Sequence, residues 1–309
     1  MNMVKEKKFI SVVTYIHNDE NYLSKYLDLT CDAFKNNFEN YELIFVNDAS
    51  TDSSVDVIKR YFKDNDSTEV SIINMSFYHG AELSMVAGVD LAIGDYVFEF
   101  DSVEIDYDEN VIIKVYNEII NGYDLVSAVP NKKMSFLSEL FYNLMKKYGN
   151  YEYNMVSDRF RVITRRLINR IGDYNKTIFY RKALYESSGL STNKILYSII
   201  PSHNCKVNNK YKVGLAIDSL IVFTNIGFVI SCFMTFVMMI LMAVVSIYAL
   251  VFKIFNKPVA GWTFTTIFLS LCFFGLFSIL TIVVKYLQLI IDLQVRRKKY
   301  SFNSIEKVS

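Results

Sequence analysis

The sequence predicts an α/β domain on a mostly parallel, doubly wound sheet with helices on both faces, followed by a hairpin of two membrane-crossing helices. Three observations carry this expectation. Apolar, β-branched segments alternate with amphipathic stretches over residues 9–128, the pattern of successive strand–helix–strand units. Polar clusters follow three of the strand-like segments, at residues 17–20, 47–52 and 101–104, where a parallel sheet places its ligand. Finally, no charged residue occurs from 219 to 252 or from 258 to 284, and about 20 apolar residues suffice to span a bilayer.

Taken in chain order, residues 9–14 (FISVVT) read as a buried strand, since β-branched runs suit a sheet covered on both faces. Residues 21–37 have helical spacing, with Leu23, Tyr26, Leu27 and Phe34 on one side. Residues 41–47 (YELIFVN) form a second strand, ended by Asp-Ala-Ser-Thr-Asp. A helix over 53–64, a strand over 69–74 and a helix over 81–92 follow, the last closed by Gly94. Residues 96–100 (YVFEF) are a fourth strand running straight into Asp101, before a helix over 109–121 and a strand over 123–128. Residues 135–148 and 180–187 are amphipathic helix candidates, and 159–170 is a basic stretch with no assigned element.

The expected organisation is an α/β domain over 1–215, with 131–215 as its acceptor and juxtamembrane part. Membrane helices over 219–252 and 263–284 flank a loop over 253–262, and a basic tail covers 285–309. The longest soluble core helices seldom run so far without a polar face. Lys285, Arg296, Arg297, Lys298 and Lys299 follow the second span, and such basic excess marks the cytoplasmic side. Two spans put both termini on that side of a plasma membrane of bacterial inner-membrane type, with the loop outside and Trp262 as an interfacial anchor. The N-terminus has a basic patch but no apolar h-region, so no signal peptide is read there.

A net charge of +1, from 33 Lys+Arg against 32 Asp+Glu, excludes nucleic acid as the main partner. Cys31, Cys205, Cys232 and Cys272 form no CxxC motif, and His17, His79 and His203 form no ligand cluster. No glycine-rich dinucleotide fingerprint and no P-loop is present. Acidic residues directly after parallel strands suit a nucleotide bound through a divalent cation, which bridges carboxylates and a diphosphate. Asp48, Ser50 and Asp52 are also ordinary helix-capping types. Three such clusters on three strand ends favour a binding site over three caps, because parallel topology gathers them at one edge.

The segments FISVVTYIHNDENYL, FVNDASTDSS and HGAELSMVAGVDLAIGDYVFEFD resemble the opening strand, the Asn-Asp-Gly-Ser turn and the helix-turn-strand leading to Asp-x-Asp in family 2 glycosyltransferases of GT-A fold. Lys210-Tyr211 and Pro258-Val-Ala-Gly-Trp262 are similar to elements around the membrane hairpin of the polyprenyl-phosphate branch, which includes dolichol-phosphate mannose synthase-like and bactoprenol glucosyltransferase-like enzymes. The resemblance covers residues 9–300. It implies inverting transfer of a sugar from a UDP- or GDP-sugar to a membrane polyprenyl phosphate, with Mg²⁺ or Mn²⁺, feeding cell surface polysaccharide or glycan modification. It further implies catalytic roles for Asp101 and Arg161, and nucleotide-sugar contacts from Tyr15, His17, Asp19, Asp48, Glu82 and Asp101. Asp101 and Glu104 are the implied metal ligands, and Lys132, Lys133, Arg161 and Lys210 the implied acceptor-phosphate contacts. A homo-oligomer is left open.

The chain departs from the family pattern where it matters. The second Asp of Asp-x-Asp is Val103, the Gln beyond it is Ile105, the turn glycine is Ala49, and Arg159 replaces the acid of Gly-Asp-Phe-Arg. Two readings follow: a divergent enzyme that holds its substrates through other charges, or a weakened paralogue kept as a membrane scaffold or regulator. A processive synthase is disfavoured, since two spans offer little channel and no Gln-x-x-Arg-Trp-like element occurs.

Overall fold

Residues with branched or aromatic side chains build β1 (Glu6–Ile16), β2 (Phe38–Asn47), β3 (Glu69–Met75) and β4 (Tyr96–Phe100), and the four lie parallel to one another. A computed structural model describes residues 5–63, 69–132, 136–148, 157–172, 180–200, 262–295 and 300–308, with scattered positions between 214 and 244. β5 (Leu125–Pro130), β6 (Phe160–Thr164), β7 (Thr192–Tyr197) and β8 (Phe302–Lys307) complete one eight-stranded sheet, ordered β7-β5-β6-β4-β1-β2-β3-β8. β5 and β7 pair parallel, whereas β6 and β8 run antiparallel to their neighbours. The sheet is therefore mixed, a refinement of the mostly parallel expectation.

Side-chain alternation along these strands feeds two cores, one on each face. Val12, Leu43, Phe45 and Phe98 face α1 (Glu20–Asn37), α2 (Ser54–Phe62) and α4 (Glu109–Ile119), whose Leu23, Tyr26, Ile58, Ile112 and Val115 are buried against them. Val13, Ile44, Val46 and Val97 face the other way, toward Met85 and Ala87 of α3 (Ala81–Leu91), Leu167 of α6 (Arg165–Gly172) and Tyr185 of α7 (Arg181–Glu186). Burying each such side chain contributes about 1.5–3 kcal/mol. α3 lies close on the sheet: a Cβ at Gly88 would meet Val13 Cγ1 at 2.3 Å and Val46 Cγ2 at 2.7 Å. α5 (Phe136–Tyr148) packs Met145 beside Ala183 of α7.

One register decides the chemistry. β4 and β6 pair antiparallel with Phe100 opposite Phe160 and Glu99 opposite Arg161. The two phenylalanine rings stack at 4.9 Å on the α1/α4 face. Their neighbours Glu99 and Arg161 are thereby driven to the α3/α7 face, because adjacent residues of a strand point oppositely.

The basic stretch left unassigned in the sequence holds β6 and α6. The tail likewise holds a strand: β8 adds to the sheet edge beside β3, with Asn74 donating to Ser304 Oγ at 3.0 Å and to Glu306 Oε1 at 2.7 Å. The first expected span and the loop after it lie almost wholly outside the described residues. Among the residues described with their side chains, no helix is long and apolar enough to cross a membrane. The second expected span falls within α8 (Trp262–Val295), a helix of 34 residues.

Candidate functional site

Asp48 ends β2 fully buried, and its carboxylate is held from three directions. Oδ2 accepts the Tyr15 hydroxyl at 2.9 Å and the Gly80 N–H at 2.8 Å, and Oδ1 accepts the His79 N–H at 2.8 Å. Three bonds to a buried carboxylate offset its desolvation. The donors come from the end of β1 and from the turn into α3, where Gly80 adopts φ 82°, a conformation that glycine takes without steric cost. His17 Nδ1 donates to the Asp48 carbonyl at 2.7 Å, and its ring lies 4.7 Å from that of Tyr78. The β1 and β2 ends are locked together further by Asn18, whose Oδ1 accepts the Thr51 N–H at 2.8 Å.

Asp19 accepts the His17 N–H at 2.9 Å and does not cap α1, although it stands at the cap position. Burial raises its carboxyl above the usual value. Asp52 behaves as a local cap, accepting the Ser54 N–H at 3.0 Å and the Glu20 N–H at 3.1 Å. The capping reading thus holds for Asp52 and fails for Asp48.

Beyond β4 lies a lattice of alternating charge. Glu99 is fully buried and accepts Arg161 Nη1 at 2.9 Å, Arg181 Nη1 at 2.8 Å and the Tyr185 hydroxyl. The same two guanidiniums reach Asp101, Arg161 Nη2 bonding Oδ2 and Arg181 Nη2 bonding Oδ1. Arg161 Nε also donates to Asp158 at 3.0 Å, and Lys182 pairs with the other Asp158 oxygen. Arg181 donates its backbone N–H to Glu82 at 2.8 Å and its Nε at 3.2 Å. Burial works against the charge of Asp101, yet Arg161 and Arg181 outweigh it and hold the carboxyl well below the usual range. In Glu82 burial wins over Arg181, and the carboxyl is raised.

The structure therefore gathers Tyr15, His17, Asp19 and Asp48 into one nest and Glu82, Asp101 and Arg161 into an adjoining lattice. The turn Gly80–Glu82 links the two, since Gly80 bonds Asp48 and Glu82 bonds Arg181. The two expected metal ligands, Asp101 and Glu104, are held by different arginines. Glu104 accepts Arg159 Nη1 at 2.8 Å, Asp106 accepts Arg159 Nε at 3.0 Å, and Val103 is buried in the core. No group of three or more His, Cys, Asp or Glu side chains suited to a metal ion occurs among the described residues. Lys132 is exposed at the end of β5 without a described contact to the lattice, and Lys133 and Lys210 lie outside the described residues.

Glu99, Arg181 and Lys182 were not singled out from the sequence. The available signal was a charge inside the apolar run YVFEF, which demands a buried partner.

A family model described as "Glycosyl transferase family 2" matches residues 11–188. An uncharacterized glycosyltransferase of Synechocystis is 22% identical over 223 residues, covering 70% of this chain and 69% of that protein. The undecaprenyl-phosphate 4-deoxy-4-formamido-L-arabinose transferase of Yersinia pestis is 24% identical over 188 residues, 60% of this chain and 53% of the transferase. This chain thus spans about half the length of that relative. Among solved structures, the mannosyltransferase PcManGT of Pyrobaculum calidifontis, in complex with GDP-Man and Mn²⁺, superposes with a TM-score of 0.53 at 12% identity, covering 71% of this chain and 63% of that one. At that identity the likeness speaks for the fold, a GT-A-type mixed sheet with helices on both faces.

Proposed function

We propose, from the premise that the chain belongs to glycosyl transferase family 2, that it transfers a sugar from a nucleotide-sugar donor to a membrane polyprenyl phosphate with inversion. The observation that carries this reading is the convergence of the β1, β2 and β4 ends on Asp48 and Asp101 through the Gly80–Glu82 turn. Asp48, with Tyr15 and His17 beside it, is suited to the nucleoside, and Asp101, the exposed carboxylate of the lattice, to the donor's sugar-diphosphate end. An oxygen of the lipid phosphate attacks the anomeric carbon while the bond from that carbon to the diphosphate breaks, its electron pair leaving with the nucleoside diphosphate. The attacking phosphate is anionic at neutral pH, so no side chain need remove a proton, and positioning supplies much of the rate. Arg161 acts here by fixing Asp101. The divalent cation implied by the resemblance does not fit Asp101, Glu104 and Asp106, each of which bonds an arginine, so no step is assigned to it.

The acceptor class is supported by the Yersinia relative, which is named for undecaprenyl phosphate, and by the path of the chain. β7 and β8 belong to one sheet, so both ends of the segment between them lie on the same side of any membrane it crosses. An even number of crossings satisfies that path, and two uncharged runs supply two. α8, at 1.5 Å per residue, is about 51 Å long, enough for the roughly 30 Å of a hydrocarbon core. Basic residues after the second run support an orientation with the domain and both termini on the cytoplasmic side.

The test incubates the full chain in detergent with undecaprenyl phosphate and a panel of UDP- and GDP-sugars, and follows glycolipid by mass spectrometry. A donor-specific glycolipid is expected, lost in Asp48→Ala. Absence of product with every donor, together with absence of UDP or GDP binding, sinks the reading. A silent membrane scaffold is the second reading, favoured by one observation: Asp101, Glu104 and Asp106 are all tied up by arginines. Nucleotide binding without turnover would select it.

A further inference from the structure

The segment after β4 is arranged for charge balance within the protein itself. Asp101 is its accessible carboxylate, with 32% of the side chain exposed, and its two oxygens are taken by different guanidiniums. Those guanidiniums are nearly sealed, Arg161 at 3% and Arg181 at 1%, and both are rooted in the fully buried Glu99. Two positions on, where a second ligand would stand, Val103 is 1% exposed and packed in the core. Glu104 and Asp106 share Arg159. Arginines 159, 161 and 181 thus bond every described carboxylate between 101 and 106, Arg159 serving two of them.

A bridging cation serves where carboxylates and a diphosphate, both anionic, must be brought together. Here each carboxylate of the segment already bonds a guanidinium, and Asp101 bonds two, so positive charge stands at Asp101 without a cation. A cation at Asp101 would stand beside two sealed guanidiniums that already bond both of its oxygens, and like charges in contact disfavour one another.

We infer that this chain binds its nucleoside-diphosphate donor without a divalent cation, the Arg161–Asp101–Arg181 clamp replacing the charge balance that a cation would supply. The inference rests on the nucleotide-sugar reading above. Arg181 is a positioning residue in it, acting through Asp101.

The experiment titrates UDP and GDP into the full chain in detergent, by calorimetry, in EDTA and in Mn²⁺. Binding of at least one nucleotide is expected, with affinity differing less than threefold between the two conditions. In parallel, adding the chain to a solution of Mn²⁺ and nucleotide should not lower the electron paramagnetic resonance signal of free Mn²⁺ below its level with nucleotide alone. Binding seen only with Mn²⁺, or tightened tenfold by it, overturns the inference and leaves the nucleotide-sugar reading standing. No binding in either condition overturns both. In Arg181→Gln one Asp101 oxygen is released, and EDTA should then weaken binding tenfold or more. A folded Arg181→Gln chain that remains indifferent to EDTA overturns the role given to the clamp. The measurement on the unaltered chain decides the matter if that variant does not fold.

Discussion

The backbone N–H of Ser301 donates to Nε2 of His79 at 3.3 Å, fastening the segment that leaves α8 to the turn that holds Asp48. His79 Nδ1 donates to the Phe77 carbonyl at 2.5 Å and its ring stacks on Phe77 at 4.1 Å, so its free nitrogen is the one Ser301 reaches. The Ser301 carbonyl accepts the Ser76 N–H at 3.1 Å, and the Tyr300 hydroxyl donates to Asp90 at 2.9 Å. Deleting residues 300–309 should lower the unfolding free energy by about 3 kcal/mol, from several ladder bonds at about 1 kcal/mol each. It should also weaken UDP or GDP binding about tenfold, measured calorimetrically. Unchanged nucleotide affinity in a folded truncated chain would show that the Asp48 nest holds itself.

Glu99 and Arg181 should prove strongly coupled. Removing one partner of a buried pair costs about 3–5 kcal/mol, because the other charge is left uncompensated. Glu99→Leu and Arg181→Met are each expected to lose that much stability in denaturant titrations. The double variant should lose clearly less than the two losses added together. Simple additivity would mean that the two side chains stabilise the fold independently.

Stability should fall in acid. Asp158, like Asp101, has its carboxyl held below the usual range, since Arg161 and Lys182 outweigh the effect of burial. An acid depressed in the folded state favours folding above its unfolded value, near 3.9, and that gain is lost as pH falls through the folded value. Glu82 works in the opposite sense: burial raises it, so its contribution declines as pH rises through its unfolded value, about 4.3. The unfolding free energy should therefore drop steeply below about pH 4. Asp158→Asn should flatten that drop, and Glu82→Gln should gain stability at pH 7 relative to pH 4. A drop of equal slope in Asp158→Asn would remove the residue from the account.

The elements legible in the sequence were those whose chemistry is local. β1 to β5 read as apolar runs because helices cover both faces of the sheet, and α1 to α4 read from their apolar stripes. β6 was hidden because FRVIT carries Arg161, a residue that a strand buries only with partners such as Glu99 of β4, Asp101 and Asp158. β7 and β8, TNKILY and FNSIEK, are edge strands with exposed polar positions, and β8 finds β3 across most of the chain. Asp48 and Asp101 were legible from their places after strands. Glu99 and Arg181 were not, since their pairing is set by the antiparallel register and by the packing of α7, neither of which a single sequence displays.

Ala49 marks a local cost. It adopts φ 52°, where a Cβ costs about 1–2 kcal/mol relative to the right-handed region. Asn18 takes the same conformation at φ 58° but gains the bond to Thr51, and Asn tolerates it better. Ala49→Gly, restoring the residue of the Asn-Asp-Gly-Ser pattern, should raise stability by roughly 0.5–1 kcal/mol after the entropy lost by glycine is counted. Asn18→Gly should bring no such gain. Thermal unfolding of the two variants side by side checks the contrast, and equal shifts would refute it.

The pairing of β8 with β3 makes the membrane topology testable by labelling. Residues 302–307 share a sheet with residues 6–16, so the chain between must return to the side it left, whatever its path. Two uncharged runs, each longer than the roughly 20 residues a crossing needs, meet that condition with residue 256 on the far side. With Cys31, Cys205, Cys232 and Cys272 replaced by serine, Asn256→Cys should react with an impermeant maleimide in intact spheroplasts. Ser309→Cys should react only after permeabilisation if the proposed orientation, with the basic residues before β8 on the cytoplasmic side, holds. Labelling of both positions from the same side would exclude the hairpin. Labelling from opposite sides would fix the number of crossings as odd between 256 and 309, which α8 alone can supply.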